Sequence, residues 1–536
     1  MQADAQTVPT HPAALQLKAR FEAIVGVDHV SDDEDRRKLF SEDVWEASAH
    51  VAMLIVAPGS TAELSAVIAA AHEAGVALAP RGAGMSYTSG YLPATDSTIT
   101  LDMARMNRVL RVSPDDMTVT VEAGCTWLAL NEALAPHGLR TPFWGPMSGI
   151  YSTIGGGLSN LNAMFGAGHH GTSSESVIAL TVVLGDGQLL RTGARGPDGD
   201  TPFYRHYGPD LAGLFCGDGG TLGIKAEVTM RLMRTPAHED SASFSFKSGE
   251  AMLKALAEMA RAGIAAETCA FDPGLTKVRM KRLSLMSDVK TLGAVITKQK
   301  SLGKGLMAAA KIALGGRDFI EPDDYPLHMT AEGRSKEGVA ADMASARAIA
   351  RQYDGTEIEN TIAKVIRAMP FPAPNSMLGP EGESWVPVHG HVSLSNAPAM
   401  FADIQALFAE MADQFAFHKI HTGFLFTSLS TNAITIEPVF FWPHGYRPVH
   451  ASMVEPAHLA RLPLLPENPA ATAVVTTARE GVKAIAQRYG AAHFQIGRAY
   501  AYRDSRDEAS KALLDTIKAL VDPARQFNPG ALGFPA

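Results

Sequence analysis

The stretch Pro80-Arg81-Gly82-Ala83-Gly84-Met85-Ser86-Tyr87-Thr88-Ser89-Gly90 follows directly on Val76–Pro80, a short apolar run that reads as a strand. Three glycines let backbone N–H groups turn inward, which forms the concave nest that holds a phosphate. Arg81 adds a fixed positive charge, and Ser86, Thr88 and Ser89 add hydroxyl donors. A glycine run of this kind also serves as a plain surface turn, and taken singly it does not separate the two readings.

Repetition separates them. Gly145-Pro146-Met147-Ser148-Gly149 precedes Ser152-Thr153-Ile154-Gly155-Gly156-Gly157-Leu158-Ser159-Asn160, which leads into Phe165-Gly166-Ala167-Gly168-His169-His170-Gly171. A third run is Gly217-Asp218-Gly219-Gly220-Thr221-Leu222-Gly223-Ile224. Three such loops in one region imply a long, phosphate-bearing ligand gripped along its length by main-chain amides. None has GxGxxG placed directly after a strand, as a dinucleotide fingerprint requires, and none has the GxxxxGK[ST] of a P-loop, so ordinary NAD and ATP folds are disfavoured.

Around these loops, Val51 to Met230 alternates short β-branched runs with helical stretches. Strands are expected at His50–Pro58, Val76–Pro80, Thr98–Asp102 and Thr118–Ala123, and helices at Thr61–Ala74 and Trp127–His137. Gly185-Asp186-Gly187 between Ser176–Leu184 and Gln188–Thr192 signals a hairpin. After Arg234 the character changes. A helix is expected at Glu250–Ala262 and a long Lys-rich one through Lys290–Leu314. Pro326–Ala331, Ser335–Tyr353, Val386–Ser395, Ala399–Gln414 and Phe424–Ile434 then form two strand–helix–strand passes. They suggest an antiparallel sheet with helices on one face. From Ala471 the tail is helical and ends in the loop Asn528–Gly533.

At 536 residues the chain exceeds what one core supports, so at least two domains are expected. A net charge of −9 without a basic block argues against nucleic acid as a partner. No apolar run approaches the roughly 18–20 residues that span a bilayer. Met1–Arg20 lacks the continuous apolar core of a signal peptide, and Cys125, Cys216 and Cys269 form neither a disulfide framework nor a CxxC pair. The cytoplasm is the default compartment.

The order RGAGMSYTSG, VEAG at Val121–Gly124, STIGGGLSN, GDGGTLGI and Pro523…Phe527-Asn528-Pro529-Gly530 resembles the flavoproteins of the vanillyl-alcohol oxidase/p-cresol methylhydroxylase fold. Within them it is most similar to the FAD-linked D-lactate and glycolate dehydrogenase branch, and the likeness runs from about Val51 to Gly533. It implies an α+β architecture, a PCMH-type FAD-binding domain split around a cap of antiparallel sheet and helices. The FAD-binding part would take 1–235, the cap 236–470, and 471–536 would return to the first domain. The residues implied to touch FAD are Pro80, Arg81, Gly82, Ala83, Gly84, Met85, Ser86 and Gly90 in the first loop. The second supplies Pro146, Ser148, Thr153, Ile154, Gly156, Gly157, Asn160 and Gly168, and the third Gly223 and Ile224, with Asn528 from the tail.

On the cap, Val388-His389-Gly390-His391-Val392-Ser393-Leu394-Ser395-Asn396 puts two histidines at i, i+2 on one strand face. They suit a general base, metal ligands, flavin attachment, or a solvated strand edge. The metal-dependent hydroxy acid branch carries a pattern like GHxGDGNxH here, with a Glu-His pair in the tail. This chain has Pro398 at the second histidine and Ala492-His493 in the tail, so that ligand set is broken and no metal is expected. The phenol-oxidising branch uses a Tyr/Tyr/Arg cluster; Tyr87 stands near one such position, and Tyr500, Tyr502 and Arg503 lie in the tail. Covalent attachment of FAD through His391 stays open.

Arg498 is the first candidate for pairing with a substrate carboxylate, against a surface ion pair as the alternative. The strand Ala433–Trp442 is rich in aromatics, and its Glu437 is a candidate buried carboxylate. The reading is an FAD-dependent oxidoreductase acting on a CH–OH carbon of a bulky 2-hydroxy acid, with His391 as base or as the residue that orients the substrate, and His389, His493 and Tyr87 around it. Oxygen or a separate acceptor takes the electrons, and dimerisation through the cap is an expectation of the resemblance. The alternatives are oxidation of para-substituted phenols or benzylic alcohols, a non-catalytic flavin-binding protein, and a non-redox flavoenzyme like the ether-lipid-forming relative.

Overall fold

The computed structural model of the protein describes residues 12–285 and 321–535, and the helix expected at Lys290–Leu314 lies outside them. Among the described residues the first domain holds, beside two two-stranded ribbons, two larger sheets. One runs in the spatial order Val30–Ser31, Leu54–Val56, Ile99–Asp102, Leu78–Arg81, and its last three strands are parallel. Helix Thr61–Ala74 provides the crossover between two of those strands. Ser60 caps it, accepting the Glu63 N–H at 3.1 Å, and it buries Leu64, Val67, Ile68, Ala70 and Ala71 against the sheet. The second sheet is antiparallel, in the order Val109–Ser113, Thr118–Glu122, Ile224–Arg231, Val177–Val183, Leu189–Arg191. The Gly185–Gly187 turn joins its last two strands, as the sequence predicts.

Among the described residues the cap is built on a single sheet of eight strands, antiparallel throughout. Its order is Thr356–Ile358, His238–Phe246, Tyr325–Gly333, Glu267–Phe271, His421–Leu429, Ala433–Trp442, Ser384–Pro387, with Gly390–Ser393 also paired to Ala433–Trp442. Helices Gly249–Ala262, Lys336–Gln352 and Ala397–Glu410 share one core with the sheet, built on Leu253, Met343, Phe401, Phe426, Ile436 and Phe440. Ala471, Val475, Val482 and Ile485 of helix Pro469–Arg488 belong to that same core. We therefore place the return to the first domain nearer residue 490 than 471.

Two expected strands are divided. The first, Val386–Ser395, is Ser384–Pro387 and Gly390–Ser393 with a gap at Val388-His389. Both halves keep one register against Ala433–Trp442, so the gap faces Glu437 and Pro438. Pro438 accepts the Val388 N–H at 2.9 Å but has no N–H to return to the Val388 carbonyl, while the His389 N–H points away from this ladder and donates to the Tyr500 hydroxyl at 3.1 Å. The second, Phe424–Ile434, is the turn of a hairpin: His421–Leu429 ends at Ser430, whose φ of 53° reverses the chain into Ala433–Trp442.

A buried ionic cluster fastens the cap to the first domain. Glu239, Glu267 and Glu332 come from three adjacent cap strands, and Glu239 and Glu332 stand directly opposite each other. Like charges so placed repel. Arg367 resolves this by donating to all three carboxylates, to Glu239 at 2.8 Å, while Arg140 of the first domain donates to Glu332. Both guanidiniums lie over the Trp144 ring, at 5.0 and 5.6 Å. Burial pushes the Glu267 carboxyl up to about 7, whereas Arg140 and Arg367 hold Glu332 below the usual range despite its burial.

Arg367→Ala leaves Glu267 buried without a counter-charge, so denaturant unfolding should show a loss of about 3–5 kcal/mol. The double change Arg367→Met with Glu267→Leu, which removes both charges, should recover most of it.

Candidate functional site

The three glycine loops meet. Together with the tail they line a cleft with about 660 Å³ of space not occupied by atoms, its solvent mouth included. Of the residues expected there, Pro80, Gly82, Ser86, Gly90, Thr153, Gly156, Asn160, Gly223 and Ile224 line it. Tyr91, Met103, Ala123, Gly155, Ser159, Gly219, Gly220, Lys225 and Gly497 line it as well, beyond the residues expected to touch FAD.

The first loop leaves the C-terminal end of strand Leu78–Arg81, and from Gly82 to Thr88 no backbone N–H donates to an acceptor among the described residues. Buried or half-buried main-chain donors are almost always paired, so seven in succession call for an acceptor from outside the chain. Side chains cannot take the place of the glycines. A Cβ on Gly82 would stand 2.5 Å from Thr153 Oγ1, and one on Gly220, where φ is 69°, 2.7 Å from Pro80 Cγ. Thr153 also caps helix Ile154–Asn160, accepting the Gly156 N–H at 3.2 Å. This donor-rich, glycine-walled cleft fits a pyrophosphate-bearing dinucleotide.

Other expected contacts lie elsewhere. Arg81 turns beneath the loop, with its guanidinium 4.2 Å from the Phe40 ring and 5.5 Å from that of Tyr91. Ile154 is core, Gly157 abuts Asn162, and Met85 packs on the cap core. Ala83 and Gly84 belong to the unpaired stretch, where Gly84 leaves room for Arg81. Pro146 and Ser148 form the turn before Gly149 and Ser152. Gly168 sits at the seam with the cap, donating to the Ala266 carbonyl at 2.9 Å. Asn528 ties the loops together, its side-chain amide donating to the Gly90 carbonyl and, at 2.7 Å, to that of Gly219. Lys225 and Asp218 form a buried ion pair at 2.6 Å, with Lys225 also donating to Ser159 Oγ at 2.9 Å.

Arg498 does not face an open anion site. Its Nη2 donates to the carbonyls of Leu92 at 2.8 Å and Pro529 at 2.7 Å, which staples the end of the first loop to the tail.

The histidines do assemble. His389 stacks on Phe494 at 3.6 Å between centroids, His391 lies 5.0 Å from the same ring, and His493 stacks on Tyr500 at 3.9 Å. His493 Nδ1 donates to the His389 carbonyl at 2.6 Å, and His391 Nδ1 is 2.8 Å from Thr435 Oγ1. The Nε2 atoms of His389 and His391 are buried with no partner among the described residues. Burial pushes His391 down to about 3 and His389 well below the usual imidazole range, with neighbouring histidines adding to the effect. Stacked in this way, the rings do not converge, and no three His, Cys, Asp or Glu side chains among the described residues could hold a metal ion.

Tyr87 lies edge-on to Trp385 and to His389, at 5.7 and 5.8 Å, and accepts a bond from Gln495 at 2.9 Å. Glu437 faces His389 in register, and burial, opposed by Arg279, pushes its carboxyl up to about 7. The wall therefore combines two neutral imidazoles, a buried phenol, and one carboxyl that titrates near neutrality. Glu437 could be named from its sequence; its facing His389 depends on the strand register.

Comparison with known proteins agrees with this geometry. Residues 52–193 match the model of the FAD binding domain family. D-lactate dehydrogenase [cytochrome] 1, mitochondrial, of Saccharomyces cerevisiae is 32% identical over 39% of this chain and 35% of its own length. Glycolate oxidase subunit GlcD of Bacillus subtilis is 28% identical over 48% and 53%. The chain thus spans about half or less of the length of these curated relatives. Among solved structures, p-cresol methylhydroxylase with substrate bound superimposes with a TM-score of 0.72 at 15% identity, covering 98% of each chain. No helix among the described residues is long and apolar enough to cross a membrane. The chain carries an FAD binding domain and has the fold of p-cresol methylhydroxylase.

Proposed function

We propose that this protein is an FAD-dependent oxidoreductase acting on the CH–OH carbon of a bulky 2-hydroxy acid. The observation that carries the reading is the pairing of two features: a glycine-walled, donor-rich cleft, and a cap wall bearing an acid–base carboxyl. When bound in the cleft, FAD supplies the acceptor for the hydride equivalent that leaves the substrate carbon. The amides of Gly82–Thr88 hold the pyrophosphate, with the Thr153 and Gly220 turns closing around it.

Glu437 takes the hydroxyl proton, since a base whose pKa lies near the working pH balances its ionised fraction against its strength. His389 and His391, kept neutral by burial, orient the hydroxyl through their unpartnered Nε2 atoms. His391 Nε2 is also the attachment atom if the flavin is covalently held, in which case acid precipitation leaves the yellow colour in the pellet. Arg498 is a positioning residue that holds the first loop against the tail. The likeness to the D-lactate and glycolate enzymes supports the substrate class, and the aromatic wall of Tyr87, Trp385 and Phe494 supports a substrate larger than lactate. The same aromatics suit the second reading, oxidation of para-substituted phenols. The electrons pass to oxygen or to a separate acceptor. A cytoplasmic setting goes with three cysteines that stand free, although the yeast relative is mitochondrial.

Anaerobic bleaching of the flavin by a panel of D- and L-2-hydroxy acids and para-alkylphenols tests the reading, and bleaching by phenols alone would overturn it. The limiting rate should rise with pH through about 7, as Glu437 ionises, and then level off. Glu437→Gln should lower that rate at least a hundredfold and flatten the profile. Gly82→Val should weaken FAD binding at least tenfold while circular dichroism stays unchanged.

A further inference from the structure

We propose that Arg279, on helix Pro273–Leu285, heads an anion subsite at the far end of the cap wall, so that the molecule oxidised carries a second acidic group remote from the reacting carbon. The inference rests on the cap wall being the substrate wall.

The other half-buried arginines described in the cap are occupied. Arg367 meets three carboxylates, Arg347 meets Glu357, and Arg447 donates to the carbonyls of Asp43 and Trp45. Arg279 makes no hydrogen bond or ion pair with any described residue. Its guanidinium lies over the Phe271 ring at 3.9 Å, and that ring belongs to an apolar cluster with Cys269, Leu275 and Val278. Burial works against the charge of this half-buried guanidinium and, of the carboxyls, only the more distant Glu437 supports it, whereas a carboxylate received there would find a planar, bidentate partner with no bond to any described side chain.

A second group points to the same place. His328 is 1% exposed; its Nδ1 is bonded to Ser243 Oγ at 2.8 Å, and its Nε2 is buried with no partner among the described residues. The Phe271 and His328 rings are 5.6 Å apart, so the guanidinium and this free nitrogen flank one ring.

Strand register sets the length of the ligand. Phe271 pairs with Leu425, and Leu425 with Glu437, which puts Arg279's supporting ring two strands away from the proposed base. That is roughly 10 Å at the usual spacing between strands. A carboxylate bonded to the carbinol carbon cannot reach both ends. Between them lies Leu425, with Val439 and Phe441 on the same apolar patch. The fitting class is an elongated acid with an apolar middle and a carboxylate at the end away from the hydroxyl.

Calorimetric titration of the FAD-loaded protein with heptanedioate and with its monomethyl ester tests this without turnover. The wild type should bind the dianion at least tenfold more tightly. Arg279→Met should abolish the preference while leaving ester affinity, flavin absorbance and melting temperature in place, and Arg279→Lys should keep part of it. His328→Asn, which can still bond Ser243, should reduce the preference and serves if Arg279→Met does not fold. Equal binding of both ligands by the wild type, or an equal loss for both in the variants, overturns the proposal. Absence of bleaching by every hydroxy acid, with the dianion preference intact, would instead count against the oxidoreductase reading alone.

Discussion

The run of main-chain donors from Gly82 to Thr88 is the constraint around which the first domain is organised. A loop with so many N–H groups facing a cleft has little of its own main-chain hydrogen bonding to hold its shape. It is held from outside: Asn528 fixes Gly90 to Gly219, Arg498 fixes Leu92 to Pro529, and Leu78 donates to the Gln526 carbonyl and accepts from the Asn528 N–H where the tail runs beside the strand. The tail therefore completes the cleft, and Lys518, buried against Asp522 and the carbonyls of Thr221 and Phe527, anchors that tail in turn.

On the opposite wall a proline has a comparable effect. Pro438 withholds one N–H from the Val388 carbonyl and the strand breaks there, while the next residue, His389, turns its N–H the other way, onto the Tyr500 hydroxyl. A break in the ladder thus links the cap sheet to the tail and brings His389, Glu437 and Tyr87 onto one surface. Sheet, tail and first loop meet there, each supplying groups that the others orient.

Much of this was legible in the residues. Glycine runs after strands declare themselves because no other residue tolerates the approach that the backbone makes, and Gly82 and Gly220 bear that out. Strand and helix positions around them follow from periodicity. The divided strand was missed because the cause sits on its partner: Pro438 is visible in the sequence, but its effect at Val388 and His389 depends on register. Arginine roles were least legible. Arg498 follows a glycine in a tail motif and invites a catalytic reading, yet its partners are two carbonyls that only tertiary structure brings near. Arg279 lies in a helix whose sequence carries no polarity pattern to set it apart.

The ionic cluster at Arg367 bears on how anything reaches the cleft. Lifting the cap as a rigid body would part Arg140 from Glu332 in a dry setting and break the main-chain bonds that Gly168 and Ser430 make across the seam. The cost of exposing such a pair singly makes hinge opening on the microsecond-to-millisecond scale a poor route. Traffic into a site built this way is carried by side chains and short loops at its mouth. Discrimination then acts at the portal as well as at the pocket, on the width and flexibility of a molecule before its chemistry is tested.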